Sequence, residues 1–367
     1  MENRGPLAGV RVIDVSHQAA GPWCTTLLGD MGADVWKIEK PGRGDSIRYA
    51  RGADPKIGSF NFWGLNRNKR SVGVDIKHPD GAALVREMVD QADVLVENFR
   101  PGVMVRLGLG YDALREGNPR LIYASITAFG KTGPWAQNPG MDLILQATGG
   151  MMGLSGFPGG PPVKAAGPVA DISSGIYCAY AIALALLHRE KTGCGQRIDL
   201  TMLDAVISLL ADISTAFLNT GHRYEKFGNG HPDLVPYQAF EARDGYFIVA
   251  CLTNAFCRRL SQGLGREDRL ADARFAPNNA RPACRGNDLN GRVEMEETAA
   301  IGSVANWEHP AHGPFRTMNV PIHLSETPGS LRIPPARLGE HTDAALRDLG
   351  KSADEIARLR NDGVCGE

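Results

Sequence analysis

Asp171 stands where a small-residue loop meets a long apolar run, in the order Gly167-Pro168-Val169-Ala170-Asp171-Ile172-Ser173-Ser174-Gly175. A carboxylate at the start of a helix is kept ionised by the helix dipole and by N–H groups without intrahelical partners. Small neighbours leave room for a bulky electrophile, so the position suits a carboxylate nucleophile. A helix cap has the same look, because Asp is a preferred capping residue. Local sequence leaves both readings open. A second set of groups is cationic and lies where elements end. It comprises Lys40 after Lys37-Ile38-Glu39, Lys77, and Arg100 in Asn98-Phe99-Arg100, with Arg106 on the helix that follows. Groups just past the C-terminal ends of parallel strands share one crevice. There Lys40, Lys77 and Arg100 would converge on a ligand with several phosphates, and Phe99 would offer a face to a base. The alternative is a scatter of solvated loop charges.

Other chemistries lack their patterns. The turn Ser16-His17-Gln18-Ala19-Ala20-Gly21-Pro22 has no G-x-G-x-x-G, and Gly108-Leu109-Gly110-Tyr111 follows a helical piece instead of a strand. Nicotinamide and flavin chemistry are therefore disfavoured. No P-loop occurs, and Gly153-Leu154-Ser155-Gly156 is not a nucleophile elbow. The 9 histidines include no metal-binding pair on one helix face, and His309 with His312 reads as part of a solvated loop. No metal is expected.

Composition narrows the class. The chain has 367 residues, 43% hydrophobic and 22% charged, with a formal net charge of −1. That describes an ordinary soluble protein of about two domains, with no field to recruit nucleic acid or an anionic membrane. The 7 cysteines are scattered, which suits reduced thiols. The first residues carry no apolar secretion segment, and the uncharged run Ile176 to Leu187 is too short to span a bilayer. It reads as a buried core helix. Cytoplasm or an organelle matrix is the expected location.

The elements that must position these groups alternate. Strands are predicted at Val10–Val15, Asp34–Glu39, Val72–Ile76, Val94–Glu97, Leu121–Ile126 and Gln196–Leu200. Helices are predicted at Pro22–Asp30, Asp80–Gln91, Tyr111–Glu116, Met141–Met152, Asp171–Glu190 and Met202–Asn219. Near-continuous apolar strands separated by helices indicate a parallel sheet covered on both faces, an α/β, Rossmann-like layer. The polar, Gly-rich stretch Gly221 to Pro236 marks a domain boundary. The expected division is a large domain over 1–220, completed by 335–367, and a smaller α+β domain over 221–334. An antiparallel pair follows at Tyr237–Ala242 and Tyr246–Cys251, then a helix at Arg258–Leu270, and the chain ends in helices at Thr342–Leu349 and Ala353–Asn361.

Taken together, several stretches resemble the class III coenzyme A transferases. They are PLAGVRVIDVSHQAAGPWCTTLLGDMGADVWKIEKPGRGD, NRNKRSVGVDIKHPDGAALVREMVDQADVLVENFRPGVMVRLGLGYDAL and GPVADISSGIYCAYAIALALLHREKTGCGQRIDLTMLDA, with PPARLGEHTD near the end. The resemblance implies a Rossmann-type large domain, a small domain, and two chains interlocked like links. It implies that Asp171 is the nucleophile, forming first an acyl-aspartyl anhydride and then an aspartyl-CoA thioester. It carries coenzyme A contacts to Lys40, Val74, Lys77, Asn98, Phe99, Arg100 and Arg106, and a supporting role to Asp142 beside Met141. Coenzyme A enters as a thioester substrate, with a free carboxylic acid as acceptor and no permanently bound cofactor. The segment from His231 to Phe240 is similar to succinate–hydroxymethylglutarate-type relatives, which points to succinyl-CoA as donor. Two alternatives belong to the same superfamily: an α-methylacyl-CoA racemase and a non-catalytic relative that binds coenzyme A. Racemases carry Gly-His-Asp where this chain has Gly140-Met141-Asp142, and Met cannot serve as a base. The small domain looks shortened around 282–306.

Overall fold

The computed structural model describes residues 5–50, 58–232, 234, 236–266, 281–285, 300, 303–310 and 313–367. Its centre is an α/β layer, as expected. Six parallel strands run β1 (Arg11–Asp14), β2 (Asp34–Glu39), β3 (Lys69–Gly73), β4 (Val94–Glu97), β5 (Ile122–Thr127) and β6 (Arg197–Thr201). Their spatial order is β3-β2-β1-β4-β5-β6. Ile13 on β1 pairs with Trp36 on one side and Leu95 on the other, and all three are fully buried. The order doubles back between β1 and β4, so the loops leaving those two strands diverge and open a crevice at their C-terminal ends.

β3 begins three residues earlier than the apolar pattern predicts, because Lys69 is buried and paired. Its Nζ lies 3.1 Å from Asp14 Oδ2 and also donates to Pro22 O and Asn66 Oδ1. Arg67 is buried likewise against Asp30 at 2.6 Å. Asp14 further accepts from Ser16 and Thr25. Burial alone would raise its carboxyl, but Lys69 and Lys37 outweigh burial and hold it at about 2. Glu39 is also held at about 2, where burial is outweighed by the bidentate Arg48. Both folded values lie below the ordinary 3.8 and 4.5. Their stabilisation is therefore complete above the ordinary range and is lost as pH falls from about 4.5 toward 2. Acid titration followed by circular dichroism is expected to unfold the sheet in that window. A native spectrum persisting at the acid end would remove these two groups from the account of stability.

The helix Val169–Thr192 packs on the helix Ala20–Asp30, and Gly175 makes the close approach. A Cβ there would stand 2.8 Å from Ala20 O and 2.9 Å from the Trp23 ring. The expectation of a wholly buried helix is corrected. Cys178, Ile182 and Ala185 are buried, but Ile176, Tyr180, Leu184 and Leu187 on the other side are 47–63% exposed. Two predicted long helices are each broken in two. Met141–Met152 divides into Asp142–Thr148 and Met151–Leu154 at Gly150, whose φ is +87°, and Met202–Asn219 divides into Met202–Ser208 and Ala211–Thr220.

The described residues fall into two compact units. One comprises those within Met1–Leu145, Gly167–Leu209 and Gly302–Glu367, the other those within Gln146–Ala166 and Leu210–Ile301. In the second unit, β7 (Tyr237–Ala242), β8 (Gly245–Ala250) and β9 (Arg281–Arg285) form an antiparallel sheet beside the helix Asn254–Gly263. In the first, β10 (Val304–His309) and β11 (Gly313–Met318) pair antiparallel. The helices Thr342–Asp348 and Ala353–Asn361 close its chain, and Cys365 bridges to Val74 beyond β3. His309 is not on a solvated loop. It is buried, stacked on Trp63 at 5.6 Å, with Nε2 3.0 Å from Pro335 O. His312, Asp233, Val235 and most of 282–306 lie outside the described residues.

Candidate functional site

A cavity of about 320 Å³ opens at the C-terminal ends of β1, β2 and β3, a size that holds a drug-sized fragment of a ligand. Its cations are Lys40, Arg43 and Lys77 with Lys37, which is buried and paired with Asp45, and its apolar wall includes Val74, Ile76 and Phe99. The structure thus brings Lys40, Val74, Lys77 and Phe99 together. Arg43 belongs with them and was missed in the sequence. It sits in Pro41-Gly42-Arg43-Gly44, where Gly42 and Gly44 have φ of +70° and +60° and turn the chain back over the end of β2. That Gly-x-Gly spacing was the available signal. Lys40 Nζ lies 3.1 Å from Asp75, and the same carboxylate accepts from Lys77 N at 3.0 Å. Despite partial burial, those two bonds hold the Asp75 carboxyl below its usual range.

The other predicted cations stand apart. Arg100 and Arg106 are exposed and do not line this cavity. Asn98 lies beside Phe99, but its amide is occupied. Oδ1 accepts from His17 N at 3.0 Å and Nδ2 donates to His17 O at 2.8 Å. His17 lines the cavity with its ring edge-on to Phe99, centroids 4.8 Å apart.

Asp171 is the third residue of its helix and not its cap. Pro168 fills the cap position without a side-chain acceptor. The acceptor comes from Asp142, the first residue of the Asp142–Thr148 helix. Its Oδ1 takes Ala170 N at 2.7 Å and Asp171 N at 3.4 Å. The expectation that the helix end keeps Asp171 ionised is therefore corrected. Asp142 has taken the free N–H groups. Among the described residues no hydrogen bond reaches the half-buried Asp171 carboxylate, and burial, then the charge of Asp142, push it up to about 7. A carboxylate of raised basicity is a stronger nucleophile once ionised, and near neutral pH a large share of it is ionised. Met141, next to Asp142, is 71% exposed and offers no proton-transferring group.

Among known proteins, the family model described as CoA-transferase family III matches residues 7–294. The chain is 37% identical to succinate–glutarate CoA-transferase of Agrobacterium fabrum, over 95% of this chain and 97% of that protein. It is 39% identical to acetyl-CoA:oxalate CoA-transferase of Acetobacter aceti, over 99% and 97%. Among solved structures it is similar to a CAIB/BAIF family protein from Brucella suis. That match has a TM-score of 0.82 and 34% identity, over 94% of this chain and all of the other.

Proposed function

This chain belongs to CoA-transferase family III and is an enzyme that transfers coenzyme A, and from that premise we propose that Asp171 carries the transfer covalently. The carboxylate attacks the thioester carbonyl of an acyl-CoA donor, the C–S bond breaks, and coenzyme A thiolate leaves an acyl-aspartyl anhydride. The thiolate attacks the aspartyl carbonyl, giving an aspartyl-CoA thioester and the free donor acid. The acceptor carboxylate then displaces the thiolate, forming a second anhydride. Attack of the thiolate on its acceptor carbonyl releases the new acyl-CoA and restores Asp171. Each step exchanges carboxylate for thiolate, so water must be kept out.

The carrying observation is the half-buried Asp171 carboxylate at a helix start whose N–H groups are already taken by Asp142. In this reading Lys40, Lys77 and Arg43 neutralise the phosphates of coenzyme A, Val74 and Phe99 line its site, and Asn98 lies beside Phe99, whereas Arg100 and Arg106 stand outside the cavity. The names of the two relatives pair succinate with glutarate and acetyl-CoA with oxalate; both support a dicarboxylate acceptor, and the first supports succinyl-CoA as donor. Incubation with succinyl-CoA and then hydroxylamine is expected to modify the Asp171 peptide, as read by mass spectrometry, and not that of Asp171→Asn. An unmodified peptide across a broad acyl-CoA panel would overturn the mechanism.

The exposed row Ile176, Tyr180, Leu184 and Leu187 supports an interlocked homodimer, since so much apolar helix surface needs a partner. Sedimentation velocity is expected to give twice the chain mass, and a monomer at micromolar concentration would remove the second copy.

A further inference from the structure

The turn after β1 is held in a way the transfer reaction alone does not require. Ser16, His17 and Gln18 commit five consecutive backbone polar groups to side chains from other places in the first unit. Ser16 N donates to Asp14 Oδ1 at 2.9 Å, and Ser16 O accepts from Lys37 Nζ at 2.9 Å. Both main-chain groups of His17 bond the Asn98 amide across the point where the strand order reverses. Gln18 N donates to both oxygens of Asp45, at 3.3 and 3.2 Å. Gln18 itself has φ of +66°, one of two non-glycine residues with positive φ among those described. Such strain costs free energy and persists where surrounding contacts enforce it.

Asp45 is the buried hub of that enforcement. It also accepts from Ile47 N at 3.2 Å and pairs with Lys37 at 3.1 Å, with both side chains about 1% exposed. Lys37 in turn reaches Ser16 O, so one ion pair grips the turn at both ends. Behind the turn, Gly21 admits no Cβ, which would collide with the Ser16 side chain. The outcome is a fixed shelf that sets the half-buried His17 ring against Phe99 at the cavity wall. Burial holds the imidazole pKa down despite Asp45, so near neutral pH the ring is mainly uncharged.

We propose that Asp45 is a positioning residue of the coenzyme A site. Through Lys37 and the strained Gln18 it holds His17 where that ring contacts an uncharged part of the bound coenzyme. The proposal rests on the reading that this cavity takes coenzyme A.

The test is a double-mutant cycle on coenzyme A binding by calorimetry, with His17→Ala, Asp45→Asn and both together. Thermal melts check that each protein is folded. His17→Ala and Asp45→Asn are each expected to weaken binding about tenfold, the scale of one lost polar contact. Because Asp45 acts through His17, the double variant is expected to stay near tenfold instead of the hundredfold of independent effects. Additive losses, or wild-type affinity in folded Asp45→Asn, would overturn the positioning role. Should Asp45→Asn not fold, Asn98→Ala removes another anchor of the same turn and runs the same cycle. Wild-type protein that binds no coenzyme A would instead overturn the reading of the cavity itself.

Discussion

Asp171→Asn is expected to lower kcat by about 10⁴-fold or more while leaving the dissociation constant for coenzyme A within about twofold of wild type. The amide has nearly the same shape, and the backbone N–H groups of the turn remain capped by Asp142. What is lost is the nucleophile, and with it both covalent intermediates. The same substitution is expected to stabilise the fold. Asp171 has a folded pKa of about 7 against an ordinary 3.8, so its carboxyl is comfortable only when protonated. Its contribution is neutral below about 3.8 and becomes a cost that grows as pH rises from there to about 7, above which it is fully present. Replacement by a group that does not ionise removes that cost, so the melting temperature of Asp171→Asn should exceed wild type clearly at pH 8 and by much less at pH 4. Steady-state kinetics and melts at the two pH values check both halves. Retained turnover would remove Asp171 from the chemistry, and equal melting temperatures at pH 8 would remove the strained carboxylate.

How far this could be read from the chain depends on where each residue's partner lies. β2 and β4 were legible to the residue, because Val35-Trp36 and Val94-Leu95-Val96 are apolar runs whose burial needs no distant partner. β3 was misplaced because Lys69 looks like a loop cation until Asp14, 55 positions earlier, supplies its counter-ion. His309 looked solvated for the same reason, since its stacking partner Trp63 is remote in sequence. The Val169–Thr192 helix was visible from its uniform apolar run, but uniformity hides sidedness, so the exposed row beginning at Ile176 was not. At the site, Lys40, Lys77 and Phe99 follow strand ends and could be placed by topology alone. Asp45 and His17 could not. Their importance comes from hydrogen bonds to a turn that has no motif.

Asp142 separates geometry from charge at the nucleophile, and two substitutions are expected to resolve them. Asp142→Ala removes the acceptor for Ala170 N and Asp171 N and leaves the first turn of the helix uncapped. Loss of a cap costs about 1 kcal/mol of stability, and a misplaced nucleophile costs about a hundredfold in rate. Asp142→Asn keeps an oxygen at the same place but removes the negative charge. That charge is the second cause, after burial, of the raised Asp171 pKa, and among the described residues Asp142 is the one charged group that acts on it. Removing it makes the ionised form of Asp171 easier to reach, so the acid limb of kcat/KM against pH should move below about 7. The two variants therefore part company in a way a merely structural residue does not allow. The alanine variant is expected to be slow at every pH with its limb moved as well. The asparagine variant should keep most of its plateau rate and remain active at more acid pH than wild type. If its limb stays where wild type has it, burial alone sets the ionisation of Asp171 and Asp142 serves only as a cap.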